Sequence, residues 1–226
     1  MSEIISREPL TIRDAKWVRL VKTTYLDPNG VERTWESSER CTRPAGVDFD
    51  GVGIIAILEK PGAPPELLLQ KQYRPPIGKT CIEIPAGLVD AAESPEECAA
   101  RELFEETGYH GVVMAAEDAE EKSCLMFNDP GWCFTTPRYS GPPADQGEGM
   151  CNTNLHFVHV KIDLTDERNQ NPKQQLEENE FIEVFTVPLK DLYKECRRLE
   201  KEGYGIDARV GSLAEGFEVA RKWRFL

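Results

Sequence analysis

Positive charge is what this chain is short of. Of its 226 residues 27 are Lys or Arg against 40 Asp or Glu, a formal charge of −13, and no basic run interrupts the balance. That argues against non-specific binding to nucleic acid or to an anionic membrane surface, although a local basic site for phosphates stays open. Long apolar stretches are also missing. None reaches the length that spans a bilayer, and Met1-Ser2-Glu3 begins no signal peptide. Histidine is scarce, and His110, His156 and His159 have no metal-ligand spacing; the last two fall in the strand-like LHFVHV. The seven cysteines are odd in number and lack a Cys-x-x-Cys pair. They read as reduced thiols in an intracellular protein, cytoplasmic or also nuclear, with Cys81 and Cys98 as small core residues. No internal repeat is present.

What the chain does have is length enough for one domain with a full core plus an N-terminal extension. Residues 16–35 mix apolar and polar positions around the turn signal Pro28-Asn29-Gly30, which suggests a small antiparallel unit. Strands are expected at 51–58, 67–72, 80–84, 155–164 and 180–187, and helices at 190–202 and 212–224. Strands with helices segregated around them fit an α+β sandwich. The acidic run 117–121 reads as a solvated surface loop.

The densest signal lies in residues 87–109, GLVDAAESPEECAARELFEETGY. Ser94 suits an N-cap, Pro95 the first helical position, and Glu97 completes a capping box. Gly108 is placed to end the helix. Glu96 and Glu97 lie in the first turn, where the macrodipole favours anions. Glu105 and Glu106 lie in the last turn, where it opposes them by roughly 0.3–1 kcal/mol each. Glu102 is three residues from Glu105 and four from Glu106, so all three can reach one side of the helix. At about 6 Å and an effective dielectric near 20 their bare repulsion is roughly 3 kcal/mol per pair. A hard divalent cation reverses the sign, and carboxylates suit Mg²⁺ or Mn²⁺. A solvated acidic face with Arg101 as local partner is the alternative for these residues taken alone.

Gly87, Glu93 and then Arg101-Glu102-Leu103-Phe104-Glu105-Glu106-Thr107-Gly108 resemble the signature of the Nudix hydrolases. Seven specified residues at typical usage match by chance on the order of once in a million at this length. Tyr109 departs softly, standing where the pattern has an aliphatic residue. The segments RTWESSER, QKQYRPPIG, IEIPAGLVD, FNDPG, NEFIEV and DARV extend the resemblance to the ADP-ribose pyrophosphatase (ADP-sugar diphosphatase) branch over most of the chain. Two features depart from it. Residues 132–150 form a Gly/Pro-rich insertion, a lid or a surface loop, and Asp129-Pro130-Gly131 lies further from the helix than usual.

The resemblance implies a Nudix α/β/α sandwich at 46–226 with a mixed sheet and a loop–helix–loop box, and an N-terminal β extension at 1–45 for dimerisation and substrate contacts. It implies Mg²⁺- or Mn²⁺-dependent hydrolysis of ADP-ribose to AMP and ribose 5-phosphate. Glu102, Glu105 and Glu106 would hold the metal with the backbone carbonyl of Ala86. Gly87, Glu93, Arg101 and Gly108 would brace the box. The general base would come from the acidic loop before FIEV, with Glu180 the best match and Glu177 and Glu178 the alternatives. Trp17 and Trp35 would clamp the adenine from the two subunits of a domain-swapped homodimer, and Glu36 would bond the base edge. Arg40 and Arg74 would meet the pyrophosphate, and Asp129 the terminal ribose. Stacking on an aromatic is worth roughly 1–3 kcal/mol per base, and a guanidinium fork suits two phosphate oxygens. Each tryptophan has a plainer reading as core or interface packing. Two other activities remain open: hydrolysis of another ADP-sugar or an oxidised nucleoside diphosphate, and a catalytically dead ADP-ribose sensor. The sensor fits poorly with an intact Glu102, Glu105 and Glu106.

Overall fold

A computed structural model of the chain describes residues 5–6, 11, 13–114, 126–128, 133–134 and 151–224, with 126–128 and 133–134 described by backbone alone. The chain opens with a hairpin of its own. Strand β1 (Val18–Leu26) pairs antiparallel with β2 (Glu32–Arg40) in unbroken register from Val18↔Arg40 to Leu26↔Glu32. The Asp27 side chain accepts the backbone N–H groups of Asn29 and Val31, and Gly30 takes φ +76°, a conformation that costs glycine nothing. β2 runs five residues beyond the stretch read from the sequence. Almost every side chain of β1 is exposed.

The main sheet follows. Its strands are β3 (Gly51–Glu59), β4 (Glu66–Arg74), β5 (Lys79–Glu83), β6 (Ala86–Leu88), β7 (Val112–Val113), β8 (Met126–Asn128), β9 (Cys133–Phe134), β10 (Asn154–Asp163), β11 (Ile182–Pro188) and β12 (Gly205–Asp207). The helices are α1 (Pro95–Thr107), α2 (Leu192–Lys201) and α3 (Ala208–Trp223). The order across the sheet is β7-β10-β3-β4-β5-β12-β9, with β11 also on β4, β6 on β3 and β8 on β10. β10 runs parallel to β3 and β12 parallel to β5; the other pairs are antiparallel.

Alternation along the central strands makes the sandwich. Val52, Ile54, Ala56 and Leu58 of β3 pack with Val158, Val160 and Ile162 of β10 under Cys98, Ala99 and Leu103 of α1. Leu67 and Leu69 of β4 turn the other way, against Leu192, Cys196 and Leu199 of α2 and Val210 and Ala214 of α3. A period of two along each strand therefore feeds two apolar layers on opposite faces. Each fully buried Leu or Ile contributes about 1.5–3 kcal/mol. The mixed sheet with helices on both faces is the α+β sandwich expected from the sequence.

Helix α1 has the caps its sequence announces. Ser94 Oγ accepts from Glu97 N at 3.2 Å, Glu97 returns a bond to Ser94 N at 2.9 Å, and Gly108 closes the helix at φ +75°. α3 begins four residues earlier than expected, because Asp207 caps it by accepting the Arg209 N–H. Cys81 and Cys98 are buried as expected, and His156 and His159 sit in β10.

Among the described residues, two links tie the hairpin and the segment after it to the rest of the chain. Arg43 forks onto the buried Asp50 and also donates to Asn154 Oδ1 at 3.0 Å, while Asp50 accepts Asn154 N at 3.0 Å. Ser38 of β2 forms a parallel bridge with Cys151, where the chain returns before β10. Of the insertion 132–150 only the backbone of β9, paired with β12, is described. Asp129 and the acidic run 117–121 lie outside the described residues.

Candidate active site

Two glycines bring the strand–loop segment and the helix together. β6 lies antiparallel on the start of β3, with Gly51 opposite Leu88 and Gly53 opposite Ala86. A Cβ on Gly51 would stand 2.1 Å from the Gly87 carbonyl oxygen. A Cβ on Gly87 would stand 1.8 Å from Glu102 Cδ. The Glu102 carboxylate thus rests on bare backbone, a position no other residue type at 87 would leave open.

Glu106 points inward and is buried. Its Oε2 accepts the Ala86 N–H at 3.0 Å and its Oε1 the Gln70 Nε2 at 3.3 Å. Burial pushes its carboxyl up to about 8, and the charges of Glu102 and Glu180 push the same way against those two hydrogen bonds. Glu102 is also raised, first by burial and then by Glu105 and Glu180, with Arg101 opposing. Like charges held close in a partly dry cleft want a cation or a proton.

Arg101 supplies the compensating charge. Its Nε and Nη2 fork onto Glu93 at 2.8 and 2.9 Å, and Nη2 also reaches the Leu88 carbonyl at 3.0 Å. Its Nη1 touches Glu102 at 2.9 Å and Glu105 at 3.1 Å. The guanidinium holds Glu93 below the usual carboxylate range, and the ion pair ties the loop before α1 to the middle of the helix. Among the described residues no three acidic, cysteine or histidine side chains stand as a ready-made metal cage. The chemistry of the donors nevertheless fits a hard divalent cation: carboxylate oxygens of Glu102, Glu105 and Glu106 and the Ala86 carbonyl, with no sulfur or imidazole among them.

Glu180 stands just before β11. Its N–H bonds the Glu177 carbonyl at 3.1 Å, and its Oε2 accepts the Glu177 N–H at 3.0 Å. Its charge is felt at both Glu102 and Glu106. The loop that carries it is clipped to the end of α1. Gln174 Nε2 donates to the Glu106 carbonyl at 2.6 Å and the Ile182 carbonyl at 3.1 Å, and Gln175 N donates to the Glu105 carbonyl at 2.7 Å. Gly108 lies so close to this loop that a Cβ would meet Lys173 N at 2.3 Å.

The expected substrate contacts are distributed differently. Trp17 and Trp35 stand on the hairpin, 67% and 37% exposed. Glu36 lies opposite Lys22 in the same hairpin, and Arg40 ends β2, donating to Thr42 Oγ1 at 3.2 Å. Arg74 lies on β4 and is engaged by Glu83 through two bonds of 2.8 and 2.6 Å. Asp129, as noted, is outside the described residues. Gln70, Glu83 and Gln174 are the site's neighbours that the sequence reading did not single out. Gln70 carried a signal, a polar residue closing the apolar run Leu67-Leu68-Leu69; Gln174 carried none.

A model of the NUDIX domain matches residues 48–209. An ADP-ribose pyrophosphatase of Saccharomyces cerevisiae is 46% identical over 93% of this chain and 80% of its own length. An ADP-sugar pyrophosphatase of Mus musculus is 37% identical over 92% of this chain and 84% of its own. A solved structure described as an ADP compounds hydrolase superposes with a TM-score of 0.52, covering 98% of this chain and 90% of that one; at 14% identity the likeness is one of fold.

Proposed function

Because this chain belongs to the Nudix hydrolase family, we propose that it hydrolyses the pyrophosphate bond of ADP-ribose, giving AMP and ribose 5-phosphate. The observation that carries the reaction class is the Glu102–Glu106 pair, one carboxylate on the bare backbone of Gly87 and the other buried and raised to about 8. Support for the substrate comes from the two relatives named for ADP-ribose and ADP-sugars.

Glu102, Glu105, Glu106 and the Ala86 carbonyl would hold the cation, Mg²⁺ or Mn²⁺. When bound it neutralises phosphoryl oxygens and lowers the pKa of the attacking water. Glu180 would take a proton from the attacking water as the oxygen of the water bonds to phosphorus. The bond from phosphorus to the bridging oxygen breaks, and the bridging oxygen leaves with the other phosphate. Most of the acceleration is positioning and charge neutralisation. Glu93 and Arg101 keep the box rigid while this happens.

Trp17 and Trp35 stack the adenine, Glu36 bonds its edge, and Arg40 and Arg74 meet the pyrophosphate. Arg74 would have to exchange one contact to Glu83 for a phosphate oxygen. Asp129 is assigned to the terminal ribose. The exposed hairpin is completed by a second copy of the chain, each subunit lending one tryptophan. A panel of NDP-X compounds assayed with Mg²⁺ or Mn²⁺ tests the reading. AMP should appear first from ADP-ribose, and EDTA should stop it. Preferential cleavage of a different compound would replace the substrate. Tight ADP-ribose binding without turnover would make the protein a sensor instead.

A further inference from the structure

Gln70 is the wrong residue type for its place. It follows Leu67, Leu68 and Leu69 in β4, all fully buried, and is itself only 1% exposed. Its cross-strand neighbours are Glu83 on β5 and Val184 on β11. Alternation along β4 places it with Leu68 on the face that α1 covers, and its amide nitrogen accordingly meets Glu106 Oε1 at 3.3 Å. The other half of the amide is the anomaly. Gln70 Oε1 is buried and has no hydrogen-bond partner among the described residues. Half a turn of the amide only moves the deficit, setting oxygen against the Glu106 carboxylate and leaving the NH₂ alone. A leucine would continue the apolar run without such a cost.

We propose that Gln70 is part of the cation site: its nitrogen holds Glu106, and its oxygen accepts a hydrogen bond from water carried by the cation. The proposal rests on the reading of Glu102 and Glu106 as cation ligands. Hard divalent ions such as Mg²⁺ keep several of their waters, and those waters need acceptors. Around Glu106 the acids Glu102 and Glu105 would serve the ion itself. A neutral amide oxygen adds an acceptor without adding a charge. Groups that support a metal site from behind the ligands typically change affinity 10–100-fold when removed.

The experiment uses the full chain and Mn²⁺ alone, with no substrate. Electron paramagnetic resonance counts free Mn²⁺, and water-proton relaxation reports how fast bound water exchanges. Gln70→Leu should weaken Mn²⁺ binding about tenfold or more and speed exchange of the bound water. Where Gln70→Leu fails to fold by circular dichroism, Gln70→Met, equal in length and apolar, carries the same test. Unchanged Mn²⁺ affinity overturns the proposal. Weaker affinity with unchanged water exchange reduces Gln70 to a structural support of Glu106 and overturns the role of its oxygen. A wild-type chain that binds no Mn²⁺ sinks the metal reading itself, a result distinct from any of these.

Discussion

At Glu106 burial and charge pull against each other, and the conflict is visible in how stability should depend on pH. The carboxyl titrates near 8 in the folded protein against 4.5 for the ordinary side chain. Below 4.5 both states hold the proton and nothing is lost. Between 4.5 and 8 the unfolded chain releases it while the folded chain keeps it, so folded stability declines through that window and the loss is complete above 8. In EDTA the melting temperature should therefore drop between pH 5 and pH 8.5. Glu106→Gln, which cannot ionise, should flatten that drop and at neutral pH abolish turnover. Calorimetry on both proteins decides it, and equal slopes would mean that the proton is not on Glu106. The cluster of glutamates was legible in the sequence because a helix fixes which residues share a side. Which of them is driven into the core was not, because Gln70 and Ala86, the groups that receive Glu106, come from other elements.

Helix α1 and the loop before β11 are the two elements whose relative position the chemistry needs. Among the described residues the contacts between them are specific: Gln174 to the Glu106 carbonyl, Gln175 to the Glu105 carbonyl, and Gly108 packed against Lys173, while Gln174 also reaches the Ile182 carbonyl of β11. If Gln174 sets where Glu180 stands relative to the carboxylates, Gln174→Ala should lower kcat about tenfold with KM little changed. In a Glu180→Gln background the same substitution should cost almost nothing more. Additive losses would show that Gln174 acts elsewhere, and full activity in Glu180→Gln would move the base to another residue. Elements with local causes were readable in advance. α1 announces itself by Ser94, Pro95, Glu97 and Gly108, all within its own segment. β6 and β12 were not, since three residues cannot declare a strand and their pairing partners, β3 and β5, are distant in the chain. The start of α3 is less legible, since Asp207 caps it from within β12 and its side chain shows that role only once the Arg209 N–H is turned toward it.

Among the described residues the sandwich is closed and the hairpin is not. Trp17, Val18, Leu20, Tyr25 and Leu26 are all exposed on β1 or at its edge, an apolar surface that a lone strand pair cannot cover. A dimer in solution follows from the proposed function, with a mass by light scattering of about 51 kDa, twice the 25.5 kDa of one chain. Leu20→Glu should shift it toward the monomer and raise KM more than it lowers kcat, because the substituted surface carries no metal ligand. A wild-type monomer at micromolar concentration would remove the shared adenine clamp. The hairpin was legible from its turn, and its exposure was not, since that depends on which of the described elements pack against it. The backbone bridge from Ser38 to Cys151 bears on how such a protein can diverge. It fixes Cys151, the residue that follows positions 132–150, beside the strand that carries Glu36 and Arg40, while α1 shares no part of that connection. A change at that junction would be felt first along β2, the strand proposed to meet the nucleotide, while α1 stays as it is.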